Sequence, residues 1–369
     1  MARATGRQEG PCGGGWVSED FWSGRRVLIT GMAGFVGAHL ARSLADLGAD
    51  VVGLDRVLSS ANLQVLGLAK IPVLWRDVRD PGRLAWALSH GNGEREWKMP
   101  EVVFHLAGVG HIAHAQADPL AAWEVNVQGT WNLLEACRQL PAGQIRAIVC
   151  ASSNHVFGSL PRANRPAGSD YPALRQNGAR AAWLEDDPPG QPDVYGTSKA
   201  QVDLLVRSYG AMGLPVASLR HVNCFGPADP HRSHLVTGTI CDLLENKTPV
   251  IRGDGSAIKG YLAVGDVCRA YLLVAKRLAA RRDVLAGQAV HAATPPIPVL
   301  SLVDLLIQIA KRDVVPEILG EDLSQSGYVE MLDDSRLRSW GWTSGPLDKG
   351  LRETFQWYEA HGGHAWLSP

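Results

Sequence analysis

The chain has 369 residues, 46% of them hydrophobic, and a formal net charge of −1 at pH 7. That length and apolar content suit a large α/β domain with a smaller lobe, and the near-zero charge argues against a nucleic-acid or membrane-surface role. No uninterrupted apolar run reaches the roughly 18 residues of a membrane span. The opening "MARATGRQEGPCGGGW" lacks the apolar core of a secretory signal, and its glycines predict a flexible tail over residues 1–20. Six cysteines without CxxC spacing read as buried reduced thiols of a cytoplasmic protein. No His/Cys cluster has metal-ligand spacing, so no metal is expected.

Strand and helix patterns then alternate along the chain. "RRVLITG" (25–31) predicts a strand ending on glycine, and Val36, Leu40, Leu44 and Leu47 line one face of the helix after it. "DVVGLD" (50–55), "IPVLWRDV" (71–78) and "PEVVFHLAG" (100–108) predict the next strands, and "NVQGTWNLLEACRQL" a helix from Asn126. "IRAIVCASS" is a fifth strand. A Pro/Gly-rich segment (158–192), a helix over 195–213 and a sixth strand, "PVASLRHVN", follow. After Phe225 the pattern loosens, then "DVCRAYLLVAKRLAA" (266–280) and "AVHAAT" return to the main sheet. The fold class expected is α/β: a Rossmann-type doubly wound parallel sheet with a smaller C-terminal lobe. The sheet domain is drawn as 21–222 plus about 264–294, and the lobe as 223–263 plus 295–369.

Gly31, Gly34 and Gly37 stand between the first strand and its helix, with Phe35 and Val36 among them. Glycine there lets the backbone turn sharply and approach a pyrophosphate, which the helix N-terminus attracts. Asp55 ends the second strand 18 residues after Gly37. A carboxylate there accepts both ribose hydroxyls and repels a 2′-phosphate, favouring NAD over NADP, although Arg56 beside it offers a phosphate a partner. Asp77 and Val78 end the third strand, where an adenine would rest. Leu106, Ala107 and Gly108 end the fourth with residues that let a cofactor pass closely. Tyr195 and Lys199 are four apart on a helix and share a face, so the ammonium is expected to lower the phenol's pKa and make it a base. The plainer alternatives are a tight strand–helix turn and a surface Tyr/Lys pair.

GxxGxxG at Gly31, Gly34 and Gly37, the serine pair Ser152–Ser153 after a buried strand, and YxxxK at Tyr195/Lys199 resemble the extended short-chain dehydrogenase/reductase family. More narrowly, "DVRD", "VFHLAG", "NVQGTWNLLEAC", "LRHVNCFGP" and "GWTSGPLDKGLRETFQWY" look like the NAD-dependent nucleotide-sugar epimerases and dehydratases. The segment "FWSGRRVLITGMAGFVGAHLA" is similar in style to CDP-glucose 4,6-dehydratases. The resemblance runs from Phe21 to Tyr358. It implies NAD in the main domain, a nucleotide-diphosphate sugar in the lobe, and a homodimer through the helices starting near Asn126 and Tyr195. It implies Ser153 as the catalytic hydroxyl, Tyr195 as base, and Lys199 as its partner on the nicotinamide ribose. Asn223 falls near the sugar diphosphate, Arg252 to the diphosphate or the base, and Lys259 to a phosphate-binding position where the family usually has arginine.

The residues after Ser153 depart from the pattern that dehydratases of the family show, an Asp followed by Glu or Lys. Here Asn154 and His155 follow. An amide cannot protonate a leaving hydroxyl, whereas imidazole can act as a base. Phe157 stands where the family often has tyrosine. His111 and His114 follow the fourth strand and are candidates to face the substrate. The 158–192 segment is expected to cover the sugar, its arginines meeting phosphates. The reading is an NAD-retaining nucleotide-sugar epimerase acting at C4. The alternatives are a 4,6-dehydratase with His155 as base, a sugar dehydrogenase, and a non-catalytic nucleotide-binding relative.

Overall fold

The computed structural model describes residues 19–57, 61–91, 93, 97–158, 182–190, 192–320 and 326–363. The arginine-rich stretch 162–180 lies outside them. So does the predicted tail, except its last two residues, which open a short helix, Glu19–Trp22. At the centre are β1 (Arg26–Thr30), β2 (Asp50–Asp55), β3 (Val73–Trp75), β4 (Val102–His105), β5 (Ala147–Ala151) and β6 (Val216–His221). With Ala289–Ala292 they form one seven-stranded parallel sheet in the order 289–292, β6, β5, β4, β1, β2, β3. The Rossmann-type expectation is met, and "AVHAAT" joins the sheet beside β6. The order of winding reverses between β1 and β4, so their carboxyl ends open the crevice where such sheets keep ligands.

Successive residues on a strand point to opposite faces. Val27, Ile29, Phe104 and Val149 therefore pack against α1 (Phe35–Asp46), through Leu40 and Leu44. Leu28, Val103 and Ile148 pack on the other face, against Leu133 and Leu134 of α2 (Gly129–Arg138) and Val202 and Val206 of α3 (Val194–Ala211). The long helix α4 (Val264–Ala280) completes the first layer through Val267, Tyr271 and Val274. A third core, around Ile240, Tyr261, Leu302, Leu306 and Tyr358, belongs to residues from Phe225 onward. Among the described residues no helix is long and apolar enough to cross a membrane. Cys137, Cys150, Cys241 and Cys268 are buried free thiols, and Cys224 is partly buried.

A chain of side-chain hydrogen bonds crosses the sheet at its carboxyl edge. Thr130 donates its hydroxyl proton to Asn126 O, so it accepts from His105 Nε2 at 3.0 Å. His105 Nδ1 then accepts from Thr30 Oγ1 at 2.7 Å, and Thr30 Oγ1 receives the Ala107 N–H at 3.2 Å. The network assigns the neutral, Nε2-protonated ring. Burial, with the nearby Lys199 charge, pushes the His105 pKa down to about 3. Asn126 lies in a π-helical turn, Trp123–Gln128, that runs straight into α2. Its side chain accepts from Val109 N at 2.7 Å and donates to Ser198 Oγ at 2.8 Å, tying the loop after β4 to α3.

A histidine neutral in the fold and protonated in the unfolded chain stabilises fully above about pH 6.5 and loses that stability as pH falls. For His105 the loss at about pH 5 is about 2 kcal/mol. His105→Gln keeps a donor and an acceptor but does not titrate. The stability gap between the wild-type protein and this variant, measured by urea unfolding, is therefore expected to narrow by about 2 kcal/mol between about pH 7.5 and pH 5. An equal gap at both pH values would show that the ring is not held neutral.

Candidate active site

The first turn is built by steric necessity. Gly31 has φ +72°, and a Cβ there would lie 2.6 Å from Ala107 N. A Cβ on Gly37 would lie 2.2 Å from Gly31 O. The predicted glycines thus bring β1, α1 and the end of β4 into backbone contact, with Gly34 as the extended residue before α1. Asp55 closes the turn: its carboxylate accepts from Ala33 N at 3.0 Å and Val57 N at 3.1 Å. Asn62, which sequence reasoning passed over, is buried there. Its amide reaches Ala33 O at 3.4 Å, and its Oδ1 has no partner.

The residues expected at the adenine end are already engaged. Asp77 is held by Arg79 at 2.8 Å, with Arg56 at 3.9 Å, and Arg79 also binds Glu124. Hydrogen bonds from Arg79 hold the Asp77 carboxyl below its usual range. Arg56, which its position in the sequence offers to a 2′-phosphate, thus leans toward Asp77. Val78 is buried against Gly129, and its carbonyl accepts from Asn132. Gly108 lies between Asn126 and Lys199: a Cβ there would be 2.8 Å from Asn126 Oδ1 and 3.3 Å from Lys199 Nζ.

Beyond β5, Ser153 caps a single 3-10 turn, Asn154–Val156, its Oγ accepting from His155 N at 3.1 Å. Ser152 is a structural hydroxyl, donating to Asp203 at 3.0 Å. Asn154 is buried, and its Nδ2 has no hydrogen-bond partner. His155 Nδ1 lies 3.5 Å from Asp193, and its ring centre 5.8 Å from that of Tyr195. Asp193 caps α3 through Gly196 N at 2.8 Å. A Cβ on Gly196 would meet His155 O at 2.2 Å, so the Tyr-Gly pair lets α3 press onto this turn. Phe157 stacks on Trp183 at 5.0 Å and lies under the Arg220 guanidinium; it faces the core, where a phenol would have no role in the cavity. Arg220 binds Asp203 and the Glu185 carbonyl, pinning residues 182–190 to the sheet.

The expected depression of the Tyr195 phenol by Lys199 is not found. Burial pushes the phenol up to about 12, with a hydrogen bond from Ser153 pulling back. Lys199 Nζ donates to Ala151 O at 3.1 Å and lies 5.9 Å from the Tyr195 ring centre; burial brings it down to about 8. Lys199 is buried and Tyr195 half-buried, and desolvation is the largest influence on each.

One cavity of about 1190 Å³ joins these parts. Gly31, Gly34, Phe35, Val36, Gly37, Leu106 and Gly108 line one end, and Ser153, Asn154, His155, Tyr195 and Lys199 its middle. His111, His114, Asn223, Arg252 and Lys259 line the rest, with His231 and His234, which sequence reasoning missed. Asp55, Arg56, Asp77, Val78 and Ala107 lie outside this lining. Asn223 turns its amide nitrogen to Gly260 O at 3.0 Å and to Glu330 at 3.1 Å, and Lys259 Nζ lies over the Tyr328 ring. Glu330, also missed, is buried, and burial pushes its carboxyl up against the opposing charges of His155 and Lys259.

The fold and site define an SDR-type nucleotide-binding protein. Residues 27–287 match the NAD dependent epimerase/dehydratase family, and the chain belongs to it. It is 27% identical over 338 residues to an Arabidopsis thaliana trifunctional UDP-glucose 4,6-dehydratase/3,5-epimerase/reductase; 90% of this chain matches, but only 47% of that protein's length. A dTDP-glucose 4,6-dehydratase of Streptomyces venezuelae, solved with NAD bound, superposes with TM-score 0.73 at 27% identity, covering 93% of this chain and all of that one. A UDP-glucose 4-epimerase of Thermus thermophilus, also solved with NAD, gives TM-score 0.70 at 25% identity, covering 90% and 99%.

NAD is the cofactor. The residues fit it: glycines where a Cβ would clash, a backbone-anchored carboxylate at Asp55, and an orphaned acceptor at Asn62 beside it. Asp55→Asn removes the charged acceptor, and charged hydrogen bonds contribute about 1.5–3 kcal/mol. Calorimetry on cofactor-stripped protein is expected to show NAD bound more tightly than NADP, and about a tenfold or greater loss of NAD affinity in the variant. Wild-type preference for NADP would overturn the role given to Asp55.

Proposed function

We propose that this chain is an NAD-dependent nucleotide-sugar epimerase that transiently oxidises a sugar hydroxyl, at C4, with Tyr195 as the base. The observation that carries the reading is Asn154, a buried amide with an unpartnered N–H where a dehydration would need an acid. Among the described residues the carboxylates lining the cavity are Asp118, Asp242 and Asp254. All three are taken: Asp118 caps Ala121 N, Asp242 binds Arg232, and Asp254 accepts from Ser256 and Ser326.

When bound, NAD supplies the hydride acceptor and a cationic ring. The chain's own residues handle the proton and the sugar. Tyr195 takes the hydroxyl proton, and Ser153, hydrogen-bonded to it, holds the same hydroxyl in line. Lys199, anchored on Ala151 O, keeps a positive charge next to the phenolate as it forms. The Asn154 amide donates to a sugar oxygen without protonating it. Arg252, with Lys259, meets the diphosphate. A 4,6-dehydratase remains the second reading, favoured by His155: paired with Asp193 beside the Tyr195 ring, it is a ready base.

Two experiments test these readings. UDP-, dTDP-, CDP- and GDP-hexoses incubated with the protein in deuterium oxide are followed by NMR and mass spectrometry. The expected product keeps its C6 oxygen and gains no deuterium at C5, and Tyr195→Phe slows turnover by about 10²–10⁴. A product lighter by one water with deuterium at C5 would establish dehydration instead. We also propose a homodimer through the α2 and α3 helices, which expose Trp131 (45%) and Leu204 (54%). Sedimentation velocity is expected to give a dimer, and Leu204→Arg a monomer; a monomeric wild-type protein would refute the interface.

A further inference from the structure

Four imidazoles gather in the cavity wall away from the hydroxyl cluster's own turn. His111 precedes the short helix Ile112–Ala117, and His114 lies on it. His231 and His234 lead into the helix Leu235–Leu244. Ring centres are 4.8 Å apart for His111 and His114, 5.0 Å for His231 and His234, and 5.6 Å for His111 and His234, whose planes lie within 16°. His231 is 6.3 Å from His111, so the four form one group. His111 Nε2 meets Ser233 Oγ at 3.1 Å, while its Nδ1 is buried with no hydrogen-bond partner.

Among the described residues no three His, Cys, Asp or Glu side chains are placed to hold a metal ion. What the rings share is the capacity to take a proton and donate to an anion. The neighbouring carboxylates are spoken for. Asp229, fully buried, accepts from Thr237 and fixes His234 Nδ1 at 2.7 Å. Arg232 occupies Asp242 and Glu245. Asp118 caps a helix, and Asp254 is held by Ser256 and Ser326. Arg252 and Lys259 line the same cavity. Burial, then the other three histidines and Arg252, push His111 down to about 4, and burial also lowers His231. Desolvation of this kind, at His111 and His231, disfavours the charged ring until a negative group arrives beside it.

We propose that the His111–His114–His231–His234 group is a proton-linked anion site, in which an anionic oxygen group of the substrate, a phosphate or a sugar carboxylate, binds with uptake of a proton by the imidazoles. It rests on the nucleotide-sugar reading and deepens it. The bound state holds more protons than the free one, so affinity rises as pH falls, by up to about tenfold per pH unit for each proton taken up.

Calorimetry on the NAD-loaded protein tests this at about pH 6 and pH 7.5, in buffers of different ionisation enthalpy, with UDP, UDP-glucose, UDP-glucuronic acid and inorganic pyrophosphate. Uptake of about half a proton or more is expected, with affinity rising toward pH 6. In His111→Gln and His231→Gln uptake falls, and in the exposed His114→Gln it falls less, while melting temperatures stay close to wild type. Uptake with UDP or pyrophosphate identifies a phosphate as the group; uptake with UDP-glucuronic acid alone identifies the carboxylate. pH-independent binding without uptake, or uptake unchanged in every variant, overturns the proposal. Histidine-dependent uptake with pyrophosphate but no binding of any nucleotide leaves the anion site standing and removes the nucleotide-sugar reading. No binding of any of the four removes both.

Discussion

The hydrogen-bond chain from Thr30 through His105, Thr130 and Asn126 to Ser198 joins everything the site needs. It begins at the carboxyl end of β1, crosses β4, and ends on α3 one residue before Lys199. Each member is buried and each proton is spoken for, so the chain is either wholly formed or costly. Thr30 also takes the Ala107 N–H, at the point where Gly31 leaves no room for a Cβ. The glycine turn and α3 are thus set against each other through polar contacts that admit one arrangement of protons. Ser198 completes the link by donating to Tyr195 O at 2.7 Å.

That rigidity places a half-buried phenol and a buried amine with opposing needs side by side. Desolvation raises the Tyr195 phenol to about 12 and lowers Lys199 to about 8, in each case favouring the neutral form. A phenol this weak is a poor base until positive charge enters the cavity, and Lys199, with Ala151 O as its anchor, is the chain's own source of it. The low dielectric that opposes ionisation in the free protein strengthens each charge–charge contact made on binding.

The main sheet was legible because each strand is an apolar run bounded by glycine or polar residues, and because the glycine spacing has one steric solution. Tyr195, Lys199 and Ser153 were singled out by their order, and the structure brings them to one cavity. Other residues were not, for identifiable reasons. Glu330 reads as a surface glutamate, and it is buried beside Asn223, a partner more than a hundred residues away that spacing does not reveal. His231 and His234 lie more than a hundred residues from His111, so their grouping is tertiary. The π-helical turn at Trp123–Gln128 has no periodic signature distinct from an α-helix. The phenol's shift was misjudged because spacing along a helix reports adjacency and says nothing of desolvation. Asp193, two residues before Tyr195, did carry a signal: an Asp before a helical run is a cap.

Asn154 shows how one side chain limits the reactions open to such a site. Leaving a buried donor unpaired costs about 1–3 kcal/mol. Its Nδ2 is in that state, in the wall shared with Ser153 and Tyr195. In the proposed reading an oxygen of the sugar would accept from it and recover that cost, through the same atom that disqualifies the residue as an acid. The amide keeps its protons over the working pH range. With an amide at this position a C–O bond cleavage would need its proton from another group, and the adjacent His155 has its Nδ1 turned to Asp193. Hydride leaving and returning at one carbon makes no such demand, and in the proposed reading it asks only for Ser153, Tyr195 and Lys199.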